Sequence, residues 1–236
     1  MSHAPAPDDA RPPAGAAVPA WFEVRDLVLV RGNRMLFDGI GFGLGHGEAL
    51  LLRGPNGSGK SSLLRALLGL AIPRSGELSL DGERFPATSG RLRPHALFQG
   101  HADGLKGELD ALENLALAAG LDGFDTGEPA LRQALAATGI LREAALPVRR
   151  LSQGQRQRLS LARCALANRA AVPTRPLWLL DEPSAALDDA GTAMLDGLLR
   201  THLARGGAAI IATHLPVLVA AGAAGRPPRT LMLGQP

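Results

Sequence analysis

Eight consecutive residues limit what this chain can fold into more than any other feature. Gly54-Pro55-Asn56-Gly57-Ser58-Gly59-Lys60-Ser61 matches G-x-x-x-x-G-K-[ST] at every fixed position, and Ser62 follows it. Glycines let the backbone curl so that successive N–H groups point inward and form an anion nest. The apolar stretch Ala49–Arg53 precedes the motif. Leu63, Leu64, Leu67, Leu68 and Leu70 follow on one broad helical face. The pattern therefore predicts strand, phosphate loop and helix, with the helix opening near Gly59 and aiming its positive end at the same phosphates. Lys60 is expected to reach the β- and γ-phosphates of ATP, and the Ser61 hydroxyl to hold Mg²⁺. A chance glycine turn would lack this strand and helix on either side.

Around the motif, strand-like and helix-like segments alternate. Residues 21–30 and 95–99 read as strands, and 76–82 as a strand ending in an Asp81-Gly82 turn. From 109 to 145 the periodicity is helical, carried by Leu112, Leu115, Leu117, Leu131, Leu135 and Ile140, with Gly120, Gly123 and Gly127 separating the pieces. Residues 152–167 predict a helix with Leu159, Ala162 and Leu166 on one stripe. Residues 177–180 predict a fully apolar strand, 189–203 a helix and 208–213 a strand. Such alternation implies a parallel sheet with helices packed on it, interrupted by a small helical insert at about 105–168.

A strand ending in two acids gives the second constellation. In Leu177-Trp178-Leu179-Leu180-Asp181-Glu182, Asp181 is placed to hold Mg²⁺ opposite Ser61. Glu182 is placed to orient or polarise the attacking water. An ordinary acidic turn after a strand is the plainer explanation, but the phosphate loop upstream speaks against it.

Leu151-Ser152-Gln153-Gly154-Gln155 resembles the LSGGQ signature of ABC ATPases. It opens a helix, so Ser152, Gly154 and Gln155 would present a second helix N-terminus to phosphate. Ser184-Ala185-Ala186-Leu187-Asp188 resembles the D-loop, and His214 the switch histidine that contacts the γ-phosphate. The resemblance implies an α/β P-loop NTPase of ABC type: a mostly parallel sheet core, a small helical sub-domain and an N-terminal antiparallel β portion. It spans residues 21–234, with ATP hydrolysed in a homodimer whose signature faces the other subunit's phosphate loop.

Within that class the chain resembles the CcmA family of cytochrome c maturation. The residues carrying this are Gly100-His101-Ala102-Asp103-Gly104-Leu105-Lys106, then Ala111-Leu112-Glu113-Asn114-Leu115, and the run from Gly54 to Arg65. The resemblance implies an integral membrane partner like CcmB, with CcmC-, CcmD- and CcmE-like proteins, at the cytoplasmic face of a bacterial inner membrane. Two positions depart from the usual ABC pattern. Arg31 stands where an adenine-stacking aromatic is expected, and a guanidinium can stack on a base. The coupling glutamine, a further metal-site candidate, is either Gln99 or displaced onto position 102, which is Ala102.

Composition narrows the rest. Hydrophobic residues make up 46 % of the chain, broken into runs too short for a membrane helix. Net charge is +3 and the positive charge is almost all arginine, with Lys60 and Lys106 the two lysines. High Ala, Gly, Arg and Pro with no Tyr reads as a compositional bias rather than a nucleic-acid surface, and no nucleic-acid partner is expected. The single cysteine, Cys164, excludes an internal disulfide or a thiolate metal cluster. Residues 1–20, rich in Pro and Ala, predict a disordered extension rather than a secretory signal. His95 and His101 read as surface or packing residues. The competing assignments are the ATPase of another ABC exporter and a soluble ABC ATPase outside transport. Tandem ATPase halves or a long coiled-coil insert would favour the latter, and the chain has neither.

Overall fold

The computed structural model describes residues 20–100, 104–170, 174–214 and 227–234. Residues 1–19, His101, Ala102 and the middle of the 168–176 loop lie outside that description.

Two sheets form the frame. The first is antiparallel, in the order β2-β1-β4-β5: β1 Phe22–Arg31, β2 Arg34–Leu44, β4 Ser75–Leu80 and β5 Glu83–Pro86. Asp81 and Gly82, at φ 50° and 80°, make the tight β4–β5 turn, which needs left-handed residues at both central positions. The second sheet is parallel, in the order β6-β7-β8-β3-β9, from β3 Ala49–Arg53, β6 Ala96–Gln99, β7 Leu177–Asp181, β8 Ala208–Ala212 and β9 Arg229–Met232. Every residue of β7 and β8 is buried, as a parallel strand covered on both faces requires.

Three apolar clusters hold these layers. Helix α1, Lys60–Leu67, packs Leu63, Leu64 and Leu67 with Leu50, Leu52, Leu179 and Ile210 and with the antiparallel sheet. On the opposite face of the parallel sheet, Leu161 and Cys164 of α4 (Gln153–Ala167) meet Leu195, Leu199 and Leu203 of α5 (Asp189–Ala204), over Trp178, Leu180 and Ile211. The third cluster is helical: Leu115 of α2 (Ala111–Asp122), Leu131 and Leu135 of α3 (Glu128–Ala137), and Leu159, Ala162 and Leu166 of α4. Helix α4 thus serves two cores with two stripes. Truncating a fully buried leucine such as Leu63 to alanine costs about 2–5 kcal/mol.

The structure corrects several details. Leu70 lies beyond the end of α1 and is 57 % exposed, because Gly69 turns the chain at φ 64° and ends the leucine periodicity before it. Leu117 faces outward at 46 % exposure. Gly120 sits inside α2; Gly123 caps its C-terminus and Gly127 caps the N-terminus of α3. His95 belongs to a single 3-10 turn with Arg93 and Pro94, and the strand begins at Ala96.

Candidate active site

Helix α1 begins at Lys60 with no side-chain cap and no acid in its first turn, so its leading N–H groups remain open to an anion. The N-cap, Gly59, has φ 98°, and a Cβ there would come within 2.5 Å of the Phe37 ring. Gly54, at φ 148°, passes so close to Leu233 that a Cβ would lie 2.3 Å from its carbonyl oxygen. Both motif glycines are therefore demanded by packing as well as by backbone angle. Lys60 is buried, and its Nζ donates to the carbonyls of Gly54 at 2.9 Å and Pro55 at 3.3 Å. The ammonium is thus folded over its own loop, facing where phosphate oxygens would come.

The second constellation is brought to the same place by β7. The Ser61 hydroxyl donates to Asp181 Oδ1 at 3.0 Å. Asp181 is 2 % exposed, and its Oδ2 has no hydrogen-bond partner among the described residues. A buried carboxylate oxygen left unmatched beside a hydroxyl is a hard-oxygen donor set of the kind Mg²⁺ takes together with nucleotide phosphates. The next residue, Glu182, has φ 52°, unusual for a side chain with a Cβ and costing about 1 kcal/mol or more. Its N–H is bonded to the Ala212 carbonyl at 2.8 Å, which fixes the turn. His214 meets the Glu182 carboxylate through its ring Nδ1 at 3.0 Å and its backbone N–H at 3.4 Å.

These residues line one cleft of about 430 Å³, formed by Asn56, Gly57, Gly59, Lys60, Ser61 and Ser62 on one side and Asp181, Glu182 and His214 on the other, with Arg31 and Leu36 completing it. Gln99 is not among the lining residues. It ends β6 in register with Leu180, is 3 % exposed, and its Oε1 has no partner among the described residues. Leu36, Phe37 and Leu233 went unnoticed in the sequence. Phe37 and Leu233 act through close contacts with the loop glycines that no local pattern records.

The signature residues sit elsewhere. Ser152 caps α4: its Oγ accepts from the Gln155 N–H at 3.2 Å, and Gln155 Oε1 accepts from the Ser152 N–H at 2.9 Å. Gln155 Nε2 in turn donates to Glu143 at 3.1 Å. A Cβ on Gly154 would lie 2.8 Å from the Ala186 carbonyl, and Gln157 donates to the Pro183 carbonyl at 2.7 Å. The signature helix therefore rests directly on the segment following Glu182. That segment ends at Asp188, whose carboxyl is held below the usual range first by the Gly191 N–H and then by Arg158. None of Ser152, Gly154 or Gln155 lines the cleft of their own chain.

The family model described as ABC transporter matches residues 37–185. A cytochrome c biogenesis ATP-binding export protein CcmA from Cupriavidus pinatubonensis is 45 % identical over 91 % of this chain and 95 % of its own length. The protein of the same name from Rhodopseudomonas palustris strain BisB5 is 46 % identical over 85 % and 95 %. The chain belongs to the CcmA family of ABC transporter ATP-binding proteins.

Solved ABC cassettes share its fold. An ATP-binding cassette in a dimeric, post-hydrolysis state with ADP and Pi superposes with a TM-score of 0.72 at 26 % identity, covering 90 % of this chain and 94 % of that one. As a member of this class the protein is an ATP-hydrolysing cassette. Among the described residues no helix is long and apolar enough to cross a membrane.

Proposed function

We propose that this ABC ATPase works as a homodimer that closes around two ATP molecules and drives a CcmB-like membrane subunit in c-type cytochrome biogenesis, alongside CcmC-, CcmD- and CcmE-like proteins. The observation that carries the reading is a complete hydrolytic cleft in a chain 45 % identical to a CcmA over nearly all of both lengths.

In this reading backbone N–H groups of the loop after Pro55 cradle the phosphates and Lys60 turns from its own loop to the β- and γ-phosphates. Ser61 and Asp181 would hold Mg²⁺, which would supply charge neutralisation at the phosphates. Glu182 accepts the proton of the attacking water, aligned by the same fixed turn that sets its φ. His214 steadies Glu182 and faces the γ-phosphate. The other subunit's Ser152 covers that phosphate from the far side. Its Oγ is an acceptor in the cap, so its O–H stays free to donate. Gln99, buried beside the connection to the helical sub-domain at about 105–168, relays rather than ligates.

A groove of about 310 Å³ on that sub-domain, bordered by the exposed Leu117 and Leu121 and by Lys106 and Arg163, is the proposed seat of the membrane partner. Docking there puts the cassette peripherally on the cytoplasmic face of the inner membrane. Deleting the gene should abolish c-type cytochromes while b-type cytochromes persist, read by haem staining of periplasmic proteins. Normal c-type levels would reject the assignment.

A further inference from the structure

We propose that Asp122 is a positioning residue for hydrolysis. With Arg163 and Arg175 it ties the helical sub-domain to the free edge of the parallel sheet, and so sets where the Ser152 terminus of α4 stands for the other copy. This role rests on the homodimer reading above.

Asp122 ends α2, where a carboxylate is out of place. The last turn of a helix carries partial negative charge and unmatched carbonyls, so an acid there is repelled. Two arginines answer both problems. Arg163 of α4 donates to Asp122 Oδ2 from Nε at 2.8 Å, and its Nη2 lies 2.6 Å from the same oxygen. Arg175, just before β7, donates to the Asp122 carbonyl from Nε at 3.3 Å and Nη2 at 3.0 Å, and that Nη2 is 3.9 Å from Oδ1. The side chain of Asp122 is 11 % exposed and that of Arg175 16 %.

The same two arginines reach the sheet. Arg175 Nη1 donates to the carbonyls of Arg93 at 2.7 Å and Ala96 at 3.0 Å, and Arg163 Nη1 to that of Phe98 at 3.2 Å. Strand β6 stands at the end of the sheet and pairs only with β7 among the described residues. Carbonyls two residues apart on a strand point the same way, so those of Ala96 and Phe98 belong to its unpaired edge. An edge strand needs cover and a helix end needs a cap. One carboxylate joining both through shared arginines does more than either requires, because it fixes the angle between sub-domain and sheet. Arg163 lies on the helix that Ser152 opens, 11 positions along it, a span of about 16 Å. A tilt of about 4° over that span moves the far end by about 1 Å. A misplacement of about 1 Å at a reacting centre can cost about 10²-fold in rate.

The dimer itself reads this. In a Glu182→Gln background, which should trap the ATP-bound pair, sedimentation gives the dissociation constant of the ATP-dependent dimer, and calorimetry gives the affinity of each variant for Mg-ADP. Asp122→Asn keeps the shape and removes the charge. It should weaken the dimer about tenfold and leave ADP affinity within about twofold. Arg175→Met keeps the stem and removes the donors, and should shift the dimer in the same direction. Asp122→Glu restores the charge and should recover most of the loss. An unchanged dimer constant in both Asp122→Asn and Arg175→Met would overturn the proposal and leave the homodimer reading intact. A parallel fall in ADP affinity and Tm in both would make the cluster a fold support alone, and would overturn it too. If Glu182→Gln by itself stays monomeric with ATP, the homodimer reading fails and the positioning role fails with it.

Discussion

In the proposed function two helices of this chain offer their N-termini to phosphate, and they are finished differently. Helix α1 starts on Gly59 with no side-chain cap and no acid in its first turn, so its N–H groups wait for a ligand. Helix α4 starts on Ser152 with a full capping box, so two of its orphan donors are already matched. The first lies in a cleft with its lysine, carboxylates and histidine around it; the second faces none of them. The difference teaches what each needs. The α1 site gathers its lysine, carboxylates and histidine within one chain. The α4 terminus is stable as it stands, and in the proposed dimer it becomes a site only when another copy brings phosphate to it.

That contrast breaks most sharply at Glu182, the proposed catalytic carboxylate. Glu182→Gln removes the proton acceptor and leaves every phosphate contact in place, so hydrolysis should fall by about 10²–10⁴-fold with ATP still bound. The bound ATP should then hold two chains together, seen as an ATP-dependent doubling of mass in gel filtration. A variant that stays monomeric under saturating ATP would remove the reason for assigning α4 to the other subunit. Next in size, Lys60→Ala takes away the one ammonium of the α1 site, and ATP affinity should fall about a hundredfold in a direct titration. Equal affinity would mean the site is not whole in the way its geometry implies.

The α1 site was the more legible in the sequence, for a physical reason. Its parts are local: a loop set by glycines, and a strand of continuous apolar residues ending in Asp181 and Glu182. What the chain did not disclose was tertiary. Gly59 sits against Phe37 and Gly54 against Leu233, contacts spanning 22 and 179 positions that no periodicity encodes. Strand β9 was missed because, as an edge strand of four residues with none fully buried, it carries little apolar pattern. Counting leucines puts Leu70 on the face of α1 and Leu117 in the periodicity of α2, whereas Gly69 ends α1 and α2 turns Leu117 to the groove. For the α4 terminus the motif was readable but its seat on Ala186 and Pro183 was not.

That seat offers a way to damage the α4 side alone. A methyl on Gly154 would press on the Ala186 carbonyl at 2.8 Å and tilt the start of the helix. Overpacking of this kind costs about 1–3 kcal/mol. Gly154→Ala should therefore lower dimer-dependent hydrolysis about tenfold and leave ATP affinity within about twofold of wild type. A parallel loss of affinity would show that the two termini are not separable.

The smallest expected effect tests what the two sites share. Both rest on β7, and beneath it Trp178 stacks on His202 of α5, ring centroids 3.9 Å apart at 12°. His202 Nε2–H donates to the Ala208 carbonyl at 3.1 Å, and Gly207 packs against the ring. Burial lowers the His202 pKa to about 4, with backbone bonds opposing and Arg205 assisting. The folded state therefore keeps the ring neutral, while the unfolded chain protonates near pH 6.5. The unfolded state binds the extra proton as pH falls, so this contribution is whole above about pH 6.5 and is lost progressively on the way down to about 4. Between pH 7.5 and 6.0 the loss is somewhat under about 1 kcal/mol, or roughly 2 °C in Tm for a domain of this size. His202→Phe keeps a ring on Trp178 and removes the proton, so it should flatten this part of the melting profile. ATP affinity and dimer formation should weaken together as the wild type is acidified, because the loss falls on the common floor. If only one of them moved, β7 would not be the shared foundation that ties the finished site to the unfinished one.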